Sequence, residues 1–391
     1  MIKSKGSSKS LFLILVSYLA FISLGLPDGL LGIAWPYMSS RAHAPLDSLG
    51  ILLIGFTIGY LSTSSTSGKI LKWMSLGMIL TTSCLLTGVS LLTYAFSHYW
   101  YLMIVASFFL GSGGGAIDSS INTFAASRFS ASTINWLHAF YGVGATTGPL
   151  LITFMLVQNF QWYHGYITVA IIQLSLSVLF FFTQKNWKVS TQNEEHHSTA
   201  DYFQTLKLPI VWINIWIFFL YTGLEQGFGL WIFTILTKSR GMAEEEAGLW
   251  ASAYWGSLTA GRIVFGMILT KIQVNKVLKG AIAGIVAGTS LVAIDLTDFS
   301  TLLGIMLVGI SNAPVFPSLI SITPDRVGKE HTATAIGAQI SFAMVGAALV
   351  PGFAGWLSDG FGLEIITKIF TIAAIVLMIL YFVTTGRSKS N

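Results

Sequence analysis

Three carboxyl-bearing residues stand inside long apolar stretches: Asp28 in Gly25-Leu-Pro-Asp-Gly-Leu30, Asp118 in a run from Gly111 to Asn122, and Glu225 in Tyr221-Thr-Gly-Leu-Glu-Gln-Gly227. An ionisable group at mid-membrane costs at least roughly 2.5 to 3.5 kcal/mol, so each one asks for a purpose. Around Asp28, Pro27 removes a backbone donor and Gly25, Gly29 and Gly32 loosen the chain, which predicts an interrupted helix lining a cavity. Asp28 is then a proton or substrate site, or the cap of the broken helix. Asn122 lies one turn after Asp118, on the same face, and the glycines from 111 to 115 let a neighbouring helix approach to backbone contact. A carboxyl shielded in this way can take up and release a proton each cycle; the alternative is a packing carboxyl. Glu225 stands where an internal repeat places the counterpart of Asp28, with Arg262 as a candidate ion-pair partner, structural or gating in role.

Asn135, His138 and Tyr141 follow at intervals of three, along one drifting helix face. Amide, imidazole and phenol can each hydrogen-bond a hydroxyl, and an aromatic ring packs on the apolar face of a sugar. His138 is alternatively a packing group. Tyr221, Gln226, Trp231, Trp255, Asn312 and Gln339 are further binding candidates from the second half. Asp325 and Arg326, with Lys329, Glu330 and His331, form a charge cluster expected to be solvated in a loop or to act as a gate. No metal cluster, phosphate loop or nucleophile motif is present, so neither an enzyme nor a cofactor is expected. Cys84 is the single cysteine and has no partner within the chain.

The elements that must carry these residues are membrane helices. Of 391 residues 53% are hydrophobic and 9% charged, against roughly 25% charged in a soluble domain. Apolar runs of about 20 residues, enough to cross a bilayer as a helix, recur along the chain. Spans are expected near 9–37, 47–67, 75–96, 100–125, 133–157 and 162–183, then 209–236, 246–270, 277–297, 299–322, 333–357 and 363–385. The polar segment 184–208, containing Glu194-Glu-His-His197, is the linker between bundles 1–183 and 209–391. Lys3, Lys5 and Lys9 precede an apolar run too long for a signal peptide, which is the first span. Sixteen of the 21 Lys and Arg residues fall on the N-terminal side of the membrane, four on the other, and Arg262 within a span, which puts both termini in the cytoplasm. The net charge of +5 is scattered singly, not gathered on a face, so nucleic acid is not an expected partner.

The halves repeat. Val143-Gly-Ala-Thr-Thr-Gly-Pro149 is echoed by Val345-Gly-Ala-Ala-Leu-Val-Pro351, Gly68-Lys-Ile-Leu71 by Gly266-Met-Ile-Leu269, and Gly25-Leu-Pro-Asp28 by Gly223-Leu-Glu225, at offsets of 197 to 202. Each pair links span n to span n+6.

Six plus six spans, a central linker and the glycine-proline ends at Pro149 and Pro351 resemble the major facilitator superfamily, although its usual acidic loop after the second span is reduced to Gly68-Lys-Ile-Leu-Lys72. More narrowly, Gly111 to Gly115 with Asp118, Ser119 and Asn122, together with Leu137-His-Ala-Phe-Tyr-Gly-Val-Gly144, Tyr221-x-Gly-x-Glu225, Tyr254-Trp-Gly and Gly261-Arg262, resemble the fucose/glucose:proton symporter family. The resemblance implies an all-α fold of two six-helix bundles around a central cavity, alternating access, and proton-coupled monosaccharide symport. Sodium coupling or another solute is the alternative, and a transporter-like sensor a remoter one. It also implies proton coupling at Asp28 and Asp118, with Asp in place of the family's more usual Glu on the fourth span. Expected partners are a small sugar and the lipid of a bacterial inner membrane, the protein acting as a monomer.

Overall fold

The computed structural model describes residues 4–129, 131–187, 202–268 and 272–387, and among these every regular element is a helix. The first half contains α1 Ser4–Arg41, α2 Leu49–Trp73, α3 Leu76–Phe96, α4 Trp100–Arg128, α5 Ala131–Val157 and α6 Tyr163–Thr183. The second contains a short α7 Tyr202–Leu206, then α8 Pro209–Thr234, α9 Glu244–Ile268, α10 Val274–Ile294, α11 Asp298–Asn312, α12 Val315–Val327, α13 Thr332–Phe361 and α14 Ile365–Arg387. Ten segments among the described residues are long and apolar enough to cross a membrane, α11 and α12 together forming one of them. Helices α8 and α9, of 26 and 25 residues, are long enough to be the other two. Their mean hydropathy is diluted by Asn214, Glu225 and Gln226, and by Glu244, Glu245, Glu246 and Arg262.

Local chemistry sets the helix ends. Ser75 caps α3 by accepting from the Met78 amide, Thr297 and Ser300 form a reciprocal capping box on α11, and Pro209 opens α8 where its missing N–H costs nothing. Gly328 and Gly362, at φ 87° and 81°, end α12 and α13. Along the lipid-facing side apolar residues stay exposed at helical spacing, as at Leu11, Leu15 and Leu19 of α1.

The chain divides into two units, residues 1–45 with 51–192, and 46–50 with 193–391. Inside the first, α1 packs on α5, and α3 on α4 and α6; inside the second, α8 packs on α13, and α10 on α11 and α14. These are the same neighbours six spans apart. The close approaches repeat as well. A Cβ on Gly111 would run into the Phe56 backbone, its carbonyl carbon 2.7 Å away, and one on Gly309, 198 positions later, would strike the Tyr254 carbonyl oxygen. Tyr254 in turn stands 198 positions after Phe56.

Two expectations are corrected. Helix α1 is continuous through Pro27, so there is no interruption at Asp28; Gly25 and Gly29 instead seat the α5 backbone, with the Ala145 amide nitrogen 2.8 Å from a Cβ placed on Gly25. The span expected at 299–322 is the one that breaks. It parts at Ala313 and Pro314 into α11 and α12, because Pro314 and Pro317 supply no backbone N–H to continue the ladder.

At the end of α8 the chain relaxes into a π turn, Ile235–Ser239, followed by Arg240. Arg240 ties three helix ends of the second unit: Nη1 to Asp295 Oδ1 at 2.9 Å after α10, Nε and Nη2 to Glu364 Oε1 and Oε2 at 2.9 and 2.8 Å before α14, and Nη2 also to the Val292 carbonyl at 2.8 Å.

Candidate functional site

In the first unit, α1, α2, α4 and α5 bring the two aspartates into one polar cluster. Tyr141 of α5 donates to Asp28 Oδ2. Tyr60 of α2 donates to Asp118 Oδ2 at 2.5 Å, and Asn122 Nδ2 to Asp118 Oδ1 at 2.9 Å, so that each carboxylate oxygen of Asp118 has a donor. Asp28 and Asp118 lie within electrostatic reach of each other, Tyr60 within reach of both, and His138 within reach of Asp118. The backbones close in because glycines remove side chains from the contact. Gly115 meets the Tyr60 carbonyl oxygen, 2.5 Å from a notional Cβ, and Gly25 meets α5 beside Tyr141.

The expected pairing of Asn122 with Asp118 on one helix face is what the geometry has. His138 and Tyr141 both face α1: the imidazole meets the edge of Phe21, with ring centroids 5.6 Å apart. The side chain of Asn135 lies outside the described residues. Tyr60 escaped the sequence reading. It is 58 positions from Asp118 on another helix, and only its place one turn after Phe56 in an otherwise apolar stretch marks it.

In the second unit a separate cluster forms on α8, α9 and α11. Glu225 is buried; Arg262 Nη2 lies 3.3 Å from its Oε1, and Tyr221 donates to Oε2. The ion pair considered from sequence is present. Tyr221 Oη also lies 2.9 Å from the main-chain carbonyl oxygen of Asn312, while Tyr254 donates to the Glu225 main-chain carbonyl at 2.6 Å and accepts from Asn312 Nδ2 at 3.2 Å. In the sequence Tyr254 stands out only as part of Tyr254-Trp-Gly; the repeat, which aligns it with Phe56, marks its backbone and not its hydroxyl. Trp255 is buried against Gly229 of α8 and edge-on to Tyr254. Gln226 is half-buried.

Other candidates sit elsewhere. Gln339 is buried on α13 and accepts from Thr323 of α12 at 3.2 Å, away from the Glu225 cluster. Trp231 is fully buried and spends its indole N–H on the Pro351 carbonyl at 3.0 Å, a packing role. Arg326 does not stand in a solvated loop. It occupies the last turn of α12, donates to Asn214 Oδ1 on α8 at 2.8 Å and lies over the Tyr381 ring of α14 at 5.5 Å, so it braces the second unit, while Asp325 beside it is exposed. His331 meets Thr205 of α7 at 2.9 Å.

Long apolar helices in two equivalent sets, with carboxyls bonded to tyrosine hydroxyls inside them, define a multi-pass α-helical membrane transporter. The chain belongs to the Major Facilitator Superfamily, whose pattern matches residues 17–338 and 227–391. It is 24% identical over 374 residues to the glucose/mannose transporter GlcP of Bacillus subtilis (strain 168), covering 93% of this chain and 92% of that one. To the human sodium-dependent glucose transporter 1 it is 24% identical over 371 residues, covering 84% and 70%. Among solved structures it is similar to the nucleoside transporter NupG, with TM-score 0.78, 17% identity and coverage of 97% and 98%. It is also similar to the E. coli fucose:proton symporter FucP, with TM-score 0.61, 16% identity and coverage of 96% and 98%. The two structures speak to the fold, and the fold is the major facilitator one.

Proposed function

We propose that this transporter carries a monosaccharide, a hexose, together with a proton by alternating access. The observation that carries the reading is the pair Asp28 and Asp118, each held by a tyrosine hydroxyl and in electrostatic reach of the other, inside one helical unit. Neutralising a carboxyl before the protein closes removes the cost of carrying an unpaired charge through an occluded, poorly solvated state. Carboxylate, amide and phenol groups are also suited to sugar hydroxyls, since they offer acceptors and donors together. The sugar itself is suggested by the names of the relatives above. In this reading Asp28 and Asp118 carry the proton and meet the solute, Asn122, Asn135, His138 and Tyr141 complete the polar lining, and Tyr221, Gln226, Trp255, Asn312 and Gln339 contribute from the second half. Glu225 is a further proton-coupling group, paired with Arg262. No cofactor is called for beyond the coupling ion, and the protein works as a monomer in the bacterial inner membrane with both termini in the cytoplasm.

Sodium coupling is the second reading, favoured by the name of the human relative. Purified protein in proteoliposomes separates the two. Addition of hexose outside is expected to alkalinise the external medium in wild type and not in Asp118→Asn. Uptake that requires Na⁺ and ignores a pH gradient would overturn proton coupling in favour of sodium.

A further inference from the structure

Tyr221 carries one hydroxyl hydrogen, and the fold offers it two acceptors. Its oxygen contacts the Glu225 carboxylate one turn on in α8 and lies 2.9 Å from the main-chain carbonyl of Asn312, the last residue of α11. A phenol donates only once. With Glu225 charged, one of these acceptors forgoes that hydrogen, and all three residues are buried, where a lost hydrogen bond is costly. A protonated Glu225 removes the conflict. Its carboxyl O–H donates to the Tyr221 oxygen, and the Tyr221 O–H donates to the Asn312 carbonyl.

The frame around this choice is already tied. Tyr254 bonds the Glu225 main chain at 2.6 Å and accepts from Asn312 at 3.2 Å, fixing α8, α9 and α11 relative to one another. The charged and titratable groups facing Glu225 are Tyr221 on its own helix and Tyr254 and Arg262 on α9; α11 brings Asn312. Beside Glu225, α12, α13 and α14 present Phe316, Val350 with Pro351, and Phe370 to α8, all apolar; the charged contact from that side, Arg326 of α12 with Asn214, lies about three turns back along α8. The Arg262 side chain is 26% exposed against 6% for Glu225, so Arg262 is the wet end of the cluster. The carbonyl at stake is also a special one, for it closes α11 where Pro314 and Pro317 break the span.

We propose that protonation of Glu225 transfers the Tyr221 hydrogen bond from the carboxylate to the Asn312 carbonyl, so that the charge on α8 sets how firmly the α11–α12 break is held. The proton comes from water and forms the carboxyl O–H. Tyr221 keeps its own hydrogen and reorients it, no other covalent bond changes, and the Glu225–Arg262 ion pair becomes a pair between a neutral carboxyl and a cation. The inference rests on Glu225 being a proton-coupling group, but its test needs no solute.

Hydrogen–deuterium exchange of the full chain in detergent micelles, corrected for the intrinsic pH dependence of exchange, reads the break through peptides covering 312–320. In wild type these amides are expected to exchange about fivefold more slowly once Glu225 is protonated, the scale of one net hydrogen bond. Glu225→Gln, whose amide N–H can donate to Tyr221, is expected to hold the slow pattern at every pH. Tyr221→Phe is expected to lose the pH response. A wild-type segment indifferent to pH, or a Tyr221→Phe variant that keeps the full response, overturns the proposal; if Glu225→Gln fails to fold, wild type and Tyr221→Phe still decide. A pH response here without solute-linked proton movement in proteoliposomes would sink the proton-coupling reading of transport and leave the protonation-dependent hydrogen bond standing.

Discussion

At the scale of single residues, the first-unit cluster is a set of carboxyl groups each given its own donor. Asp118 is served on both oxygens, by Tyr60 and Asn122, and Asp28 by Tyr141. A hydrogen bond to a charged partner is worth about 1.5 to 3 kcal/mol, or about tenfold and more in an equilibrium. Tyr60→Phe is therefore expected to cut hexose-linked proton uptake in proteoliposomes by about tenfold or more, with an unchanged circular dichroism spectrum. Wild-type uptake in that variant would mean that the hydroxyl is idle. Asn122 was legible in the sequence because a spacing of four on one helix is a contact whatever the tertiary structure does. Tyr60 was not, since nothing local in α2 specifies which helix lies opposite.

At the scale of elements, close backbone contact decides which glycines matter. A Cβ on Gly111 meets main chain, which no rotamer change can move, whereas a Cβ on Gly280 meets nothing within 4 Å. Gly111→Val is expected to lower the melting temperature of the detergent-solubilised protein by several degrees or abolish folding, while Gly280→Ala leaves it unchanged; equal behaviour of the two would refute the packing account. The Arg240 clasp makes a pH-dependent prediction. Burial would raise the Glu364 carboxyl, but the hydrogen bonds and charge of Arg240 reverse this and hold it below the usual range. The clasp's contribution is thus complete above the ordinary Glu value of about 4.3 and fades as pH falls through the lower folded value. Melting scans should find Glu364→Gln less stable than wild type at neutral pH, with the gap closing in strong acid. A gap that persists in acid would remove the electrostatic explanation. The clasp has no local signature, because its members stand at the ends of three different helices and meet only once α8, α10 and α14 have packed. The supposed break at Asp28 misled for a related reason: glycine and proline mark flexibility or close packing alike, and the facing α5 selected packing.

At the scale of the whole molecule, the distribution of Lys and Arg makes an orientation testable. Sixteen cationic residues against four predict that both termini are cytoplasmic, so a fluorescent reporter is expected to be active at the C-terminus and an alkaline phosphatase reporter active after residue 98. The reverse pattern would invert the assigned topology. Twelve spans, the division into two sets of six and the repeat near 198 positions could all be read from the chain, because length, hydropathy and internal similarity are properties of the chain itself. The same neighbours recur in both units, α1 with α5 and α8 with α13, because the duplicated backbone pattern carries its small residues to equivalent contacts. The Tyr60 partner of Asp118, the Tyr254 tie to the Glu225 main chain and the brace made by Arg326 belong to the tertiary structure alone. They depend on which faces meet at sequence separations of 29 to 112 residues, and local spacing carries no information about contacts of that kind.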